Sequence, residues 1–160
     1  RFCAALCAAY LTGALAAGRN ADAVALGAVF PPNGQDSSAE LTRALGLMLR
    51  PARLTVIFPL WLDKPPEIVT RFFQLVERSD EARVKGRQAH ILVTMSLPAF
   101  AHRSLVREQE DGCIQHAMSL PDLETNALNF VGSVDTISRA QREEWLYRLH
   151  RLGQNDRLEM

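Results

Sequence analysis

The sequence predicts an α/β domain in which a doubly wound parallel sheet carries helices on both faces. Helical and strand-like patterns alternate along the chain, which is typical of a parallel sheet with crossover helices. Residues 53–58 form a nearly continuous apolar and β-branched run, as in strands covered on both faces. A length of 160 residues suits one core. We therefore expect one domain over residues 1–152 and a polar tail over 153–160.

The first third of the chain predicts a helix, a strand and a second helix. Apolar residues recur at helical spacing over 2–17, and a glycine then ends the helix. Residues 22–30 are short, apolar and contain valine, so they predict a strand. Ser37 and Glu40 have the spacing of a capping box, which predicts a helix over about 38–50.

The remaining elements continue the alternation. A helix is predicted to begin at Pro65-Pro66-Glu67, because proline and an acid suit the first helical turn. Ser138 and Gln141 have capping-box spacing, and they predict a last helix that runs to about Leu152. Three strands are predicted at 53–58, 88–94 and 125–134. A less regular stretch is expected over 98–122, with a charged segment at 107–111.

The composition narrows the class of partner. The 18 basic and 18 acidic side chains cancel, so neither nucleic acid nor an anionic membrane is expected as the main partner. No apolar run is long enough to span a bilayer. The 3 cysteines form no disulfide framework and no zinc pattern, so we expect reduced thiols, a cytoplasmic location and no metal site.

Two segments after predicted strands carry a family resemblance. The first is Phe58-Pro59-Leu60-Trp61-Leu62-Asp63-Lys64-Pro65-Pro66-Glu67, and the second is Val93-Thr94-Met95-Ser96-Leu97-Pro98-Ala99. They resemble the two flavin loops of the flavodoxin-like, FMN-dependent NAD(P)H:quinone reductases. Two weaker similarities follow in the same order, at the last strand (130–134) and in the C-terminal helix (142–146).

The resemblance implies non-covalent FMN and a set of contact residues. Backbone amides of the two loops would bond the polar edge of the flavin ring, and Trp61 would supply an apolar wall. The implied ring contacts are Pro59, Leu60, Trp61, Leu62, Thr94, Met95, Ser96, Leu97 and Pro98. Core packing is the alternative for Trp61, rigid turns for the two prolines, and helix capping for Thr94 and Ser96.

The first helix is implied to hold the FMN phosphate. In the family the phosphate sits at the N-terminus of the helix after strand one, where free amides and the helix dipole favour an anion. The matching positions are Arg1, Phe2 and Cys3. The alternative is a core phenylalanine and a solvated arginine. The family's first strand and its loop do not precede these residues. The resemblance therefore implies either that residues are omitted before Arg1 or that the sheet lacks its usual central strand.

His102 is the candidate catalytic residue. The family has a tyrosine eight residues after the threonine of the second loop, and His102 has that spacing from Thr94. A histidine there could stabilise negative charge by hydrogen bonding or as an imidazolium. The family's partner histidine falls at Gln109, so the pair is not intact. A surface histidine is the alternative.

The expected activity is hydride transfer from NAD(P)H through FMN to a quinone-like acceptor, in a ping-pong cycle. Family members are commonly homodimers, with Phe72, Phe73 and residues 98–120 as candidates for the interface. Two alternatives stay open: an accessory subunit of a membrane cation-efflux system, and a degenerate paralogue that no longer binds FMN. Neither a nucleophile elbow nor a glycine-rich dinucleotide motif occurs. The sequence leaves the acceptor and the choice between NADH and NADPH undecided.

Overall fold

A computed structural model describes residues 2–32, 35–48, 50, 53–60, 65–79, 87–96 and 123–155. The chain forms two compact units. The helical unit comprises residues 1–23 and 133–160, and the sheet unit comprises residues 24–132. The prediction of a single domain over 1–152 therefore stays a prediction.

Within the described residues, the sheet unit has three parallel strands in the order β1-β2-β3. The strands are β1 (Leu54–Pro59), β2 (Arg87–Thr94) and β3 (Leu123–Val131). Both pairings are parallel, with one irregularity in register between Ala89 and His90. All three predicted strands are confirmed, within two or three residues at each end. β3 ends earlier than predicted because Ser133 has a φ of 55° and starts a turn.

In the part of the sheet unit that the structure describes, three helices contribute to the core. They are α2 (Leu26–Val29), α3 (Ser38–Met48) and α4 (Glu67–Arg78). Their apolar side chains pack against those of Ile91 and Val93 on one face of the sheet. The Ser37 hydroxyl accepts a hydrogen bond from the Glu40 amide at 3.4 Å, which confirms the predicted N-cap of α3.

The strand predicted over residues 22–30 is wrong. The structure places α2 there, with the Phe30 N–H donating to the Leu26 carbonyl at 2.9 Å. Alanine recurs through this segment and favours helix. A strand also needs a neighbour, and in the described part of the chain no strand pairs with these residues. The apolar side chains of this segment are buried from a helix instead, and Val29 is fully buried in the core.

The burial of Phe72 and Phe73 corrects a second prediction, that these residues are available for a dimer interface. Both side chains were candidates for a dimer interface, and both are buried within the chain's own core, at 6% and 4% exposure. Their rings meet edge to face, with centroids 5.5 Å apart. Helical spacing in the sequence predicts that Ile68, Phe72, Leu75 and Val76 face inward. Phe72 and Val76 are buried, and Ile68 and Leu75 are partly buried against the core, so this face is confirmed. Val69 and Phe73 are buried as well and widen the face.

The helical unit pairs α1 (Phe2–Ala16) with α5 (Arg139–Asn155). Gly18, with a φ of 71°, ends α1 as predicted: its N–H bonds the Leu15 carbonyl, and the next N–H bonds the Ala14 carbonyl. The capping box of α5 is also confirmed. The Ser138 N–H donates to the Gln141 side chain at 2.9 Å, and the Gln141 N–H donates to the Ser138 hydroxyl at 3.2 Å.

Two glycines let the helices of this unit approach closely. A Cβ on Gly13 would lie 2.8 Å from the His150 carbonyl carbon, and one on Gly153 would lie 2.8 Å from the Ala14 nitrogen. α5 continues to Asn155, three residues past its predicted end at Leu152, and Gly153 lies within this added turn. Leu6, Leu149 and Leu152 are buried, at 0–2% exposure.

Candidate functional site

The carboxyl ends of the three strands lie level at one edge of the sheet. Pro59 is the register partner of Thr94, and Thr94 is the partner of Val131. The Leu60 N–H donates to the Thr94 carbonyl at 2.7 Å, and the Met95 N–H donates to the Val131 carbonyl at 2.9 Å. We call Pro59, Leu60, Thr94, Met95 and Ser96 the strand-end rim. In a doubly wound sheet, ligands bind outside this end of the strands.

Leu60 and Met95 form the base of the rim. Their side chains are buried in the core, at 7% and 4% exposure. Their N–H groups are engaged by neighbouring strands and so are not available to a flavin. If the flavin ring contacts these two residues, the contact is predicted to be with their backbone carbonyl groups. This detail needed the strand register, which the residue pattern alone did not supply.

Thr94 and Ser96 differ in exposure although they stand two residues apart. Thr94 ends β2 and is buried, at 3% exposure. Ser96 is exposed just beyond the strand end, so its hydroxyl faces solvent at the rim. Among the described rim residues, Ser96 is the polar side chain that a ligand can reach without any rearrangement of the sheet.

The guanidinium of an arginine lies beside the start of α1, a position that the sequence did not predict. The Arg142 guanidinium lies 5.4 Å from the centroid of the Phe2 ring, a cation–π distance. Arg142 also donates to the Val134 carbonyl at 2.8 Å. It comes from α5, so only the helix pairing brings it to Phe2. The motif similarity included Arg142 without giving it a role.

The two described cysteines, Cys3 and Cys7, lie half-buried on α1 and are not joined by a disulfide. Burial raises the pKa of the Cys7 thiol, which keeps it protonated and weakly nucleophilic at neutral pH. No group of three metal-ligating side chains occurs in the described ranges.

Several predicted site residues lie outside the described residues. They are Arg1, Trp61, Leu62, Leu97, Pro98 and His102. Their assigned roles stay predictions, as does the charged segment at 107–111.

None of the described helices combines the length and the apolar character that crossing a membrane requires.

Solved structures match this chain along most of its length. A candidate quinone reductase from Klebsiella pneumoniae superposes over 95% of this chain and 78% of its own, with a TM-score of 0.69 and 18% identity. An NAD(P)H:quinone oxidoreductase from Methanothermobacter marburgensis covers 98% and 92%, with a TM-score of 0.61 and 16% identity. An NADPH-quinone reductase from P. pentosaceus covers 72% and 74%, with a TM-score of 0.57 and 13% identity.

The chain has the fold of these quinone reductases. The resemblance predicted from the loop motifs is thus confirmed at the level of the fold, as a flavodoxin-like α/β architecture with a parallel sheet. No protein-family model matches the sequence, and no curated protein matches it significantly. At 13–18% identity the likeness carries the fold alone.

Proposed function

We propose that the protein is an FMN-dependent oxidoreductase that passes electrons from NAD(P)H to a quinone-like acceptor, with the flavin ring at the strand-end rim. The observation that carries this proposal is the Leu60–Thr94 hydrogen bond, which joins the described first residues of the two predicted flavin loops at one edge of the sheet. Proteins that share the fold are named quinone reductases, which supports the reaction class.

The described residues are compatible with a flavin ring. The ring has two apolar faces and a polar edge, so its site needs an apolar surface beside hydrogen-bonding groups. The rim has a buried apolar base in Leu60 and Met95 and an exposed hydroxyl in Ser96. FMN, when bound, supplies the capacity to accept a hydride and to release it to a second substrate, which no side chain provides.

The protein's own contribution is position and shielding. Sheet hydrogen bonds fix the backbone at Leu60 and Met95, so the base of the rim is held in place before a ligand arrives. The buried side chains exclude water beneath it. Trp61, Leu62, Leu97 and Pro98 are proposed to complete the walls, and His102 to stabilise negative charge on the reduced ring or the acceptor.

The phosphate contacts at Arg1, Phe2 and Cys3 are proposed separately, and the rim assignment does not depend on them. We also propose a cytoplasmic location, because the two described cysteines form no disulfide. The substrates would be NADH or NADPH and a small quinone-like molecule.

An arginine at Ser96 tests the ring site. Ser96→Arg would place a long cation over the rim, so the affinity for FMN should fall at least about tenfold, or about 1.4 kcal/mol. Quenching of flavin fluorescence during titration measures the affinity. Gln74→Arg, on the exposed face of α4, is the matched control and should bind FMN like the parent. Equal FMN affinity of both variants and the parent would remove the rim from the proposal.

A further inference from the structure

Two cysteines lie one helical turn apart on the same face of α1. Cys3 and Cys7 have i,i+4 spacing within the helix, which puts their Cβ atoms about 5–6 Å apart. Helical side chains lean toward the helix N-terminus, so the thiol of Cys7 is carried toward the turn that holds Cys3. The two are not joined by a disulfide, and both are half-buried, so part of each side chain can be reached from solvent. The helix backbone thus holds two thiols as a pair.

The setting of this pair favours a weakly hydrated ligand. α1 has no acidic or basic side chain from Phe2 to Ala16. Burial raises the pKa of the Cys7 thiol, because a thiolate loses hydration there. A soft cation that bonds strongly to sulfur can offset this loss, whereas hard cations such as Mg²⁺ and Ca²⁺ take oxygen ligands.

We propose that Cys3 and Cys7 form a binding site for one soft, thiophilic cation of the copper(I) class. Thiolates select copper(I), and two of them are enough to complete its coordination. Structural zinc sites take four ligands instead, and within the described ranges no third metal-ligating side chain joins the pair. On binding, each thiol releases its proton to solvent as a Cu–S bond forms, and the metal and the sulfurs keep their oxidation states. This inference does not rest on the proposed function.

A positive charge beside the start of α1 suits the product. Copper(I) with two thiolates carries one net negative charge. The Arg142 guanidinium lies 5.4 Å from the centroid of the Phe2 ring, and Phe2 is next in sequence to Cys3. Opposite charges attract most where water is partly excluded, so this arginine favours the anionic complex. Arg142 comes from α5, which makes its position independent of the cysteine spacing.

Competition with a coloured copper(I) chelator, bathocuproine disulfonate, tests the site without oxygen. Cys113→Ser in every sample removes the third cysteine, so all remaining thiols are on α1. The Cys113→Ser chain should withdraw one copper(I) per molecule from the chelator. The matched control adds Cys7→Ala and Ala8→Cys, which keeps two thiols but turns the second by about 100° around the helix. Ala8 is exposed, so a larger side chain fits there.

The control should bind copper(I) at least about tenfold more weakly, because loss of even an outer partner of a metal ligand costs that much. Far-ultraviolet circular dichroism checks that both chains fold. Cys3→Ser and Cys7→Ser leave one thiol each and should lose affinity to a similar degree, which keeps the test valid if the control misfolds. Equal affinity of the two-thiol chains, or no withdrawal of copper(I) at all, would overturn the proposal. One copper(I) shared between two chains, seen by native mass spectrometry, would overturn it as well.

Discussion

Gly13→Val is expected to break the pairing of α1 with α5. Gly13 meets the His150 backbone so closely that even one added carbon would lie 2.8 Å from the carbonyl carbon and nearer still to the oxygen. Backbone atoms cannot rotate aside as a side chain can, so the helices must separate. Separation would expose Leu149 and Leu152, which are buried at 0% and 2% exposure. We expect the free energy of unfolding to fall by about 3 kcal/mol or more.

Urea unfolding followed by tryptophan fluorescence checks this expectation for the helical unit. The chain has 2 tryptophans, so a Trp61→Phe background leaves Trp145 of α5 as the reporter. Gly46→Ala is the matched control, because a Cβ there meets nothing within 4 Å on an exposed position of α3. It should raise stability by about 0.4–1 kcal/mol. A Gly13→Val chain as stable as the parent would contradict the close approach of the two helices.

Phe73→Ala is expected to lower the free energy of unfolding of the sheet unit by about 3–5 kcal/mol. Phe73 is 4% exposed in the core and stacks edge to face on Phe72, so its removal leaves a cavity and one unpaired ring. Far-ultraviolet circular dichroism during urea unfolding gives the change. The result distinguishes a core residue from an interface residue, since loss of an interface side chain would weaken association and leave the monomer's stability nearly unchanged.

Gln74→Ala serves as the control for that experiment. Gln74 is exposed on the same helix, and its truncation should change stability by no more than about 0.5 kcal/mol. If Phe73→Ala proved as mild as Gln74→Ala, the assignment of Phe73 to the core would be wrong.

The elements that the sequence predicted well are those where local and global signals agree. β1 combines β-branched residues with a regular parallel pairing to β2, and both capping boxes lie where the helices begin. The strand prediction for residues 22–30 was wrong because apolar character does not distinguish a short strand from a short helix. The alanines of this segment, and the absence of a pairing strand within the described residues, favour the helix α2 there.

The candidate site was less accessible to prediction than the fold. The motifs placed two loops at one edge, and the register of β1 with β2 agrees. The engaged amides of Leu60 and Met95 depend on hydrogen bonds between strands far apart in sequence. The position of Arg142 over Phe2 depends on the pairing of α1 with α5, which brings together residues from the two ends of the chain. Neither feature leaves a local pattern in the sequence.

The central claim is that this fold carries a working flavin. The most direct measurement adds FMN to the purified protein, removes the excess by desalting, and records the visible spectrum before and after anaerobic addition of NADH or NADPH, with an intact mass on the same sample. We predict a retained flavin absorption band that bleaches with the nicotinamide cofactor and returns when a quinone is added. A folded sample of the expected mass that retains no flavin would contradict the claim.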